Sequence, residues 1–195
     1  MATHLNQGGF LIYPGNYRKL DCYKKSVVLF DMTYWYINRY LQASDRTYGQ
    51  MQQAARSGKQ NIVEGLEDYM TSRDTGLHLV NVARSSLQEL REDFEDQLRS
   101  RQLCQWTQEH ERYVGMLEYC RQHNTPEDYS RYYEQWDIET ICNTALTLIH
   151  QVDRGLMKLL AAMEEDFLAN GGVREQMTTA RKQQRGYEKN SILAQ

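Results

Sequence analysis

Two cations three residues apart, Arg56 and Lys59 in the segment ARSGKQ, would share one face of a helix and could hold a phosphate between them. A second set comes late in the chain. Arg174, Arg181, Lys182 and Arg185 belong to a stretch, Arg174 to Lys189, with five basic residues against two Glu. Such a tail reads either as a solvated end or as a contact for a polyanion such as RNA. A third set is polar but sits inside apolar periodicity: Asn61 and Glu64, then Arg84, Ser85, Ser86 and Glu89. Polar groups between helices need partners. Glu64 or Glu89 is therefore expected to pair with Arg84 and fix the register of two helices.

Signatures of catalysis are missing. The five histidines (His4, His78, His110, His123, His150) are far apart, and no His stands three residues after a Glu. His78 and His150 fall near apolar stripe positions and read as core histidines. HExxH, Walker, GxGxxG and GxSxG patterns do not occur. Ser57-Gly58-Lys59 lacks the first glycine and the preceding strand of a phosphate loop. The carboxylates Glu92, Asp93, Glu95 and Asp96 point in different directions around a helix and read as a solvated face. No catalytic residue, metal ligand or cofactor site is expected. A small-molecule or enzymatic site inside a helical bundle stands as an alternative.

Net charge of −3, from 23 basic and 26 acidic residues, is not that of a strongly basic nucleic-acid binder and gives no attraction to anionic membranes. The four cysteines (Cys22, Cys104, Cys120, Cys142) are scattered and read as reduced, buried thiols. The opening MATHLNQGGFLIYPGN has neither a basic start nor a long apolar run, so no secretory signal is expected, and the cytoplasm is the expected compartment. No run approaches the ~20 apolar residues needed to span a bilayer.

The elements that must carry these residues read as all-α. The only prolines are Pro14 and Pro126, and good helix formers are abundant. After an N-terminal arm over 1–17, helix 1 is expected from about Arg18 to Gln42, with a seam of Tyr23, Val27, Phe30, Tyr34, Ile37 and Leu41. Trp35, Tyr36 and Tyr40 lie off that seam, facing either another internal element or a second subunit. Helix 2 runs from Arg46 to Gly65 behind a cap at Ser44 or Asp45. Its stripe of Ala54, Ala55, Gly58, Asn61, Ile62 and Gly65 is small enough for a neighbouring backbone to come very close.

Helix 3, about Arg73 to Arg101, follows a cap at Thr71 or Ser72. It carries Leu77, Val80, Ala83, Leu87, Leu90, Phe94 and Leu98. A short extra helix is expected within 102–123. Thr125-Pro126, with Asp128 in a capping-box position, then starts a helix reaching about Ala169, its apolar stripe formed by Ile138, Ile141, Cys142, Ala145, Leu148, Ile149, Val152, Leu156, Leu159, Leu160, Met163 and Phe167. At 1.5 Å per residue it would span about 60 Å, so it should bend near Gly155 or project beyond its partners. The expected organisation is a four-helix bundle over 18–170 and a basic C-terminal suffix, partly helical, over 171–195.

QMQQAARSGKQNIVEG resembles the second-helix signature of the four-helix-bundle proteins encoded in intervening sequences of bacterial large-subunit ribosomal RNA genes. Gln50, Ala54, Ser57, Asn61, Ile62, Glu64 and Gly65 fall on matching positions. Ala83, Ser86, Leu87, Glu89 and Leu90 match its third-helix signature. RTYGQMQQAARSGKQNIVEG, with the ending FLANGGVREQMTTARKQQRG, is similar to the subgroup with a C-terminal suffix domain. The resemblance covers 17–105 well and the last third loosely. It implies an antiparallel up-down-up-down bundle and a homo-oligomer, a pentamer. The expected function is a non-enzymatic scaffold for RNA or a protein partner; an adaptor without nucleic-acid binding is the alternative.

Overall fold

The computed structural model describes residues 17–172 together with 175, 177, 178 and 180–185. The arm expected over 1–17 falls outside them except for Tyr17, and so does Arg174. All regular structure among the described residues is helical. A 3-10 turn, Tyr17–Lys19, leads into α1 (Asp21–Tyr40), α2 (Arg46–Asp68) and α3 (Arg73–Ser100). The short helices α4 (Tyr113–Gln122) and α5 (Pro126–Ser130) precede α6 (Ile138–Asn170). No described helix is long and apolar enough to cross a membrane.

Local chemistry explains most boundaries. Asp45 caps α2 by accepting from Thr47 N at 3.2 Å, and Ser72 accepts from Thr75 N at 3.4 Å at the start of α3. Thr125 and Asp128 form the expected reciprocal cap, with Thr125 N and Oγ1 donating to Asp128 Oδ2 at 3.1 and 2.8 Å. That cap starts only one turn and a half. The expected helix from Pro126 to Ala169 breaks after Ser130, where 131–137 turns the Tyr133 ring into the core and stacks Tyr132 on Trp136. Tyr133 packs on Trp35 with ring centroids 5.0 Å apart, and Tyr132 stacks on Trp136 at 5.3 Å. Asp137 then restarts the chain as α6, accepting from Thr140 N at 2.7 Å.

The four long helices pack in a cycle: α1 on α2, α2 on α3, α3 on α6, and α6 back on α1. The α2–α3 contact is the one the small stripe of helix 2 foretells. A Cβ on Gly58 would lie 2.8 Å from Leu87 Cδ2, and one on Gly65 would lie 2.8 Å from Val80 Cγ2. Opposite Gly65, a Cβ on Gly76 would lie 2.6 Å from Gly65 O and from Tyr69 Cα. Gly65 is thus a point of backbone contact inside α2, and the helix continues to Asp68 where the sequence suggested an end. Gly155 has the same role in α6, its Cβ position 2.6 Å from Cys22 Cβ.

The seams of α3 and α6 are those expected from their apolar spacing, including Val80, Ala83, Leu87, Leu90, Phe94 and Leu98 on α3. The α1 seam is not. Of its six expected residues only Ile37 is fully buried, and Tyr34 is 48% exposed. The buried stripe runs through Cys22, Ser26, Leu29, Met32, Thr33 and Tyr36 instead. Two polar members hid it, and each satisfies itself locally: Ser26 Oγ donates to Tyr23 O at 2.6 Å and Thr33 Oγ1 to Leu29 O at 2.7 Å.

Candidate functional site

The polar residues inside the helices are engaged in pairs that hold the helices together. Arg84 Nε donates to Asp153 Oδ1 of α6 at 2.7 Å, joining α3 to α6. The expected pairing of Arg84 with Glu64 or Glu89 is therefore corrected. Both glutamates are exposed, on helix faces turned away from the core. Ser86 is buried and donates to Ser57 Oγ across the α2–α3 contact at 3.0 Å. Asn61, half-buried, donates to Ser57 O at 3.0 Å and to Ser57 Oγ at 2.9 Å. Asn61, Ser57 and Ser86 thus form one chain of hydrogen bonds beside Gly58, where α2 makes room for the Leu87 side chain of α3.

A second cluster lies at the start of α3. Tyr69 OH donates to Met163 O at 2.6 Å and to Asp166 Oδ2 at 2.8 Å. Arg73 pairs with Asp166 at 3.1 Å and donates to Gly171 O, covering carbonyls at the C-terminal end of α6. Burial, followed by the bond to Asp166, pushes the Tyr69 phenol well above its ordinary value. No grouping of three or more His, Cys, Asp or Glu side chains that could hold a metal occurs among the described residues.

The expected cationic contacts are not brought to one place. Arg56 is exposed on α2. Lys59 Nζ instead lies 4.0 Å from the centroid of the Phe30 ring, a cation–π contact directed toward α1. Its charge is spent partly on Asp31, whose pKa burial raises and Lys59 lowers. In the tail, residues 180–185 are helical, and Arg181, Lys182 and Arg185 are all exposed. Spacings of three and four put Lys182 and Arg181 beside Arg185 on one helical face.

His78 and His150 are exposed, contrary to the expectation of core histidines. Three cysteines are buried and free, whereas Cys104 is exposed and free. Burial pushes the Cys22 and Cys120 thiols up to about 11 and Cys142 to about 12, so none of the three ionises at neutral pH. Among the off-seam aromatics of α1, Tyr36 is fully buried and Trp35 packs on Tyr133. These two rings serve the interior of the chain.

Residues 101–137, between α3 and α6, hold most of what the sequence left unread. Only 113–122 and 126–130 are helical, where one helix was expected within 102–123. The extended part is hung on α6 by Asn143, whose Oδ1 accepts from Trp106 N at 2.7 Å and whose Nδ2 donates to Cys104 O at 2.9 Å. Glu139 adds two bonds, accepting Trp106 Nε1 and Cys104 N, each at 2.9 Å. The Trp106 bond, then that of Cys104, holds the Glu139 carboxyl below its usual range.

Buried Lys25 of α1 donates to Cys120 O and more distantly to His123 O at the C-terminal end of α4. That position suits a cation, although desolvation lowers the Lys25 pKa. Its only sequence cue is a lysine inside an otherwise apolar and small stripe.

Two hollows flank this connector. One, of about 330 Å³, is walled by Trp106, Tyr113, Leu117, Asn143, Thr147 and His150 among others. The other, an open cleft of about 550 Å³, is lined by Tyr40, Arg101, Leu103, Arg112, Asp137, Ile138 and Glu139. No family model matches the chain, and no curated protein or solved structure matches it significantly.

Proposed function

We propose that the protein is a non-enzymatic scaffold, an up-down-up-down four-helix bundle of α1, α2, α3 and α6 that forms a homo-oligomer and binds RNA. The observation that carries the RNA reading is the exposed face of Arg181, Lys182 and Arg185, with exposed Arg56 as a further contact. Cations presented together and unburied favour a phosphate backbone over a buried structural role. The bundle reading is supported by the registers of successive helices: Gly58 against Leu87, Arg84 against Asp153, Gly155 against Cys22. The likeness of QMQQAARSGKQNIVEG to the ribosomal intervening-sequence family supports the same topology and suggests a pentamer.

Native mass measurement of the purified particle, with its absorbance ratio checked for co-purified RNA, tests both parts. RNA retention should weaken steeply with salt, and replacing Arg181, Lys182 and Arg185 together by Ala should flatten that dependence by about 2 in log–log slope. No retention at low salt would remove the RNA reading. One observation favours the protein-adaptor alternative: the stacked Tyr132–Trp136 pair, with Arg131 5.3 Å above Tyr132, is only half-buried. Nuclease-resistant co-purification of one stoichiometric protein partner, lost on Trp136→Ala, would support it.

A further inference from the structure

We propose that the 550 Å³ cleft where α1 and α3 end and α6 begins binds a small organic anion: a carboxylate or phosphate group carried on an apolar body. The volume falls in the range of small-molecule sites. The chemistry follows from which polar groups at the cleft are already used.

Three of the four carboxylate oxygens at the cleft are committed to the protein, and the fourth, Asp137 Oδ2, lies 3.9 Å from Arg112. Glu139 spends one oxygen on the Trp106 indole and the other on Cys104 N. Asp137 spends Oδ1 on the backbone of Thr140. The guanidinium groups are far less committed. Among the described residues Arg101 donates to neutral acceptors, Tyr40 O at 3.4 Å and Gln97 Oε1 at 3.3 Å, both long. Arg112 approaches Asp137 at 3.9 Å, beyond hydrogen-bond range, and otherwise lies 5.7 Å from the Trp106 ring centroid. Each guanidinium has five N–H donors in a planar fork suited to a carboxylate or phosphate. The cleft therefore has a surplus of donors and a shortage of free acceptors.

Its remaining wall is apolar. Leu103 and Ile138 are half-buried, and the Tyr40 ring stands beside them. A bare inorganic anion would leave that wall wetted, whereas an anion with an apolar or aromatic body would cover it. The site is separate from the tail cations, so it stands or falls independently of RNA binding.

The test is titration of the full chain with phenyl phosphate, benzoate, inorganic phosphate and benzyl alcohol, followed by calorimetry and by the Trp106 indole N–H resonance. That resonance reports on the cleft because its acceptor is Glu139. Phenyl phosphate or benzoate should bind saturably at one site, move the Trp106 signal, and bind more tightly than inorganic phosphate or benzyl alcohol. The arm that wins identifies the headgroup. Arg101→Ala and Arg112→Ala should each weaken binding about tenfold, with the lysine variants intermediate and Arg121→Ala, outside the cleft, without effect. All these side chains are largely exposed, and unchanged thermal unfolding of the variants would exclude misfolding as the cause. Affinity unchanged in the Arg101→Ala/Arg112→Ala double variant, equal binding of the four probes, or no saturation up to about 10 mM would overturn the proposal.

Discussion

The α2–α3 contact and the connector over 101–137 are held by opposite means. Between α2 and α3, almost nothing separates the two backbones: Gly58, Gly65 and Gly76 leave room that no Cβ could share. The few polar groups there, Ser57, Asn61 and Ser86, bond to one another. The connector has little regular structure. It stays in place because side chains of α1 and α6 reach out to its backbone: Asn143 to Cys104 and Trp106, Lys25 to Cys120. Shape complementarity between regular helices can be written into a repeating pattern. Anchoring an irregular strap takes single polar residues placed by the tertiary fold.

The sharpest way to break the contrast is at Gly76. Gly76→Ala should destabilise the whole chain by about 3 kcal/mol in denaturant titration, since the added carbon meets backbone rather than a flexible side chain. Gly49→Ala, on the same helix pair but with nothing within 4 Å of its Cβ position, should instead stabilise by about 0.5–1 kcal/mol. Equal effects at the two sites would mean that close approach does not set the α2–α3 contact.

Asn143→Ala should cost about 2 kcal/mol by leaving the Trp106 amide and the Cys104 carbonyl without their partner. Hydrogen exchange should quicken first at Trp106, with α2 and α3 amides still protected. Loss of protection at all three together would show that the connector and the helices unfold as one unit.

A smaller effect than either loss is expected at Asp93 of α3. Burial, then Asp96, Glu89 and Glu92, raises the Asp93 carboxyl from 3.8 to about 6. Because the folded state holds this proton more tightly than the unfolded chain, stability should fall as pH rises from about 4 to about 6 and then level off. Asp93→Asn should remove that slope and stabilise the protein at pH 7 by about 1 kcal/mol once solvent screening is allowed for. A pH profile identical to that of the parent protein would show that Asp93 carries no excess proton in the folded state.

The sequence by itself determined the helical class, the small stripe of α2, the apolar seams of α3 and α6, and the Thr125–Asp128 cap. Each of these is a local or periodic property, set by spacings of three and four or by groups within one turn. Only the tertiary structure decided that Arg84 pairs with Asp153, 69 residues away, in place of a nearer glutamate. The same holds for the rotation of α1 about its axis, because Lys25 finds its acceptor on Cys120, 95 residues away, only once the chain is folded, whereas Ser26 and Thr33 bond within their own helix. It holds too for the break after Ser130, beyond which Tyr133 packs on Trp35, 98 residues back in the chain. A polar residue's partner is chosen by whatever the fold brings within about 3 Å, and no periodicity in the chain encodes that distance.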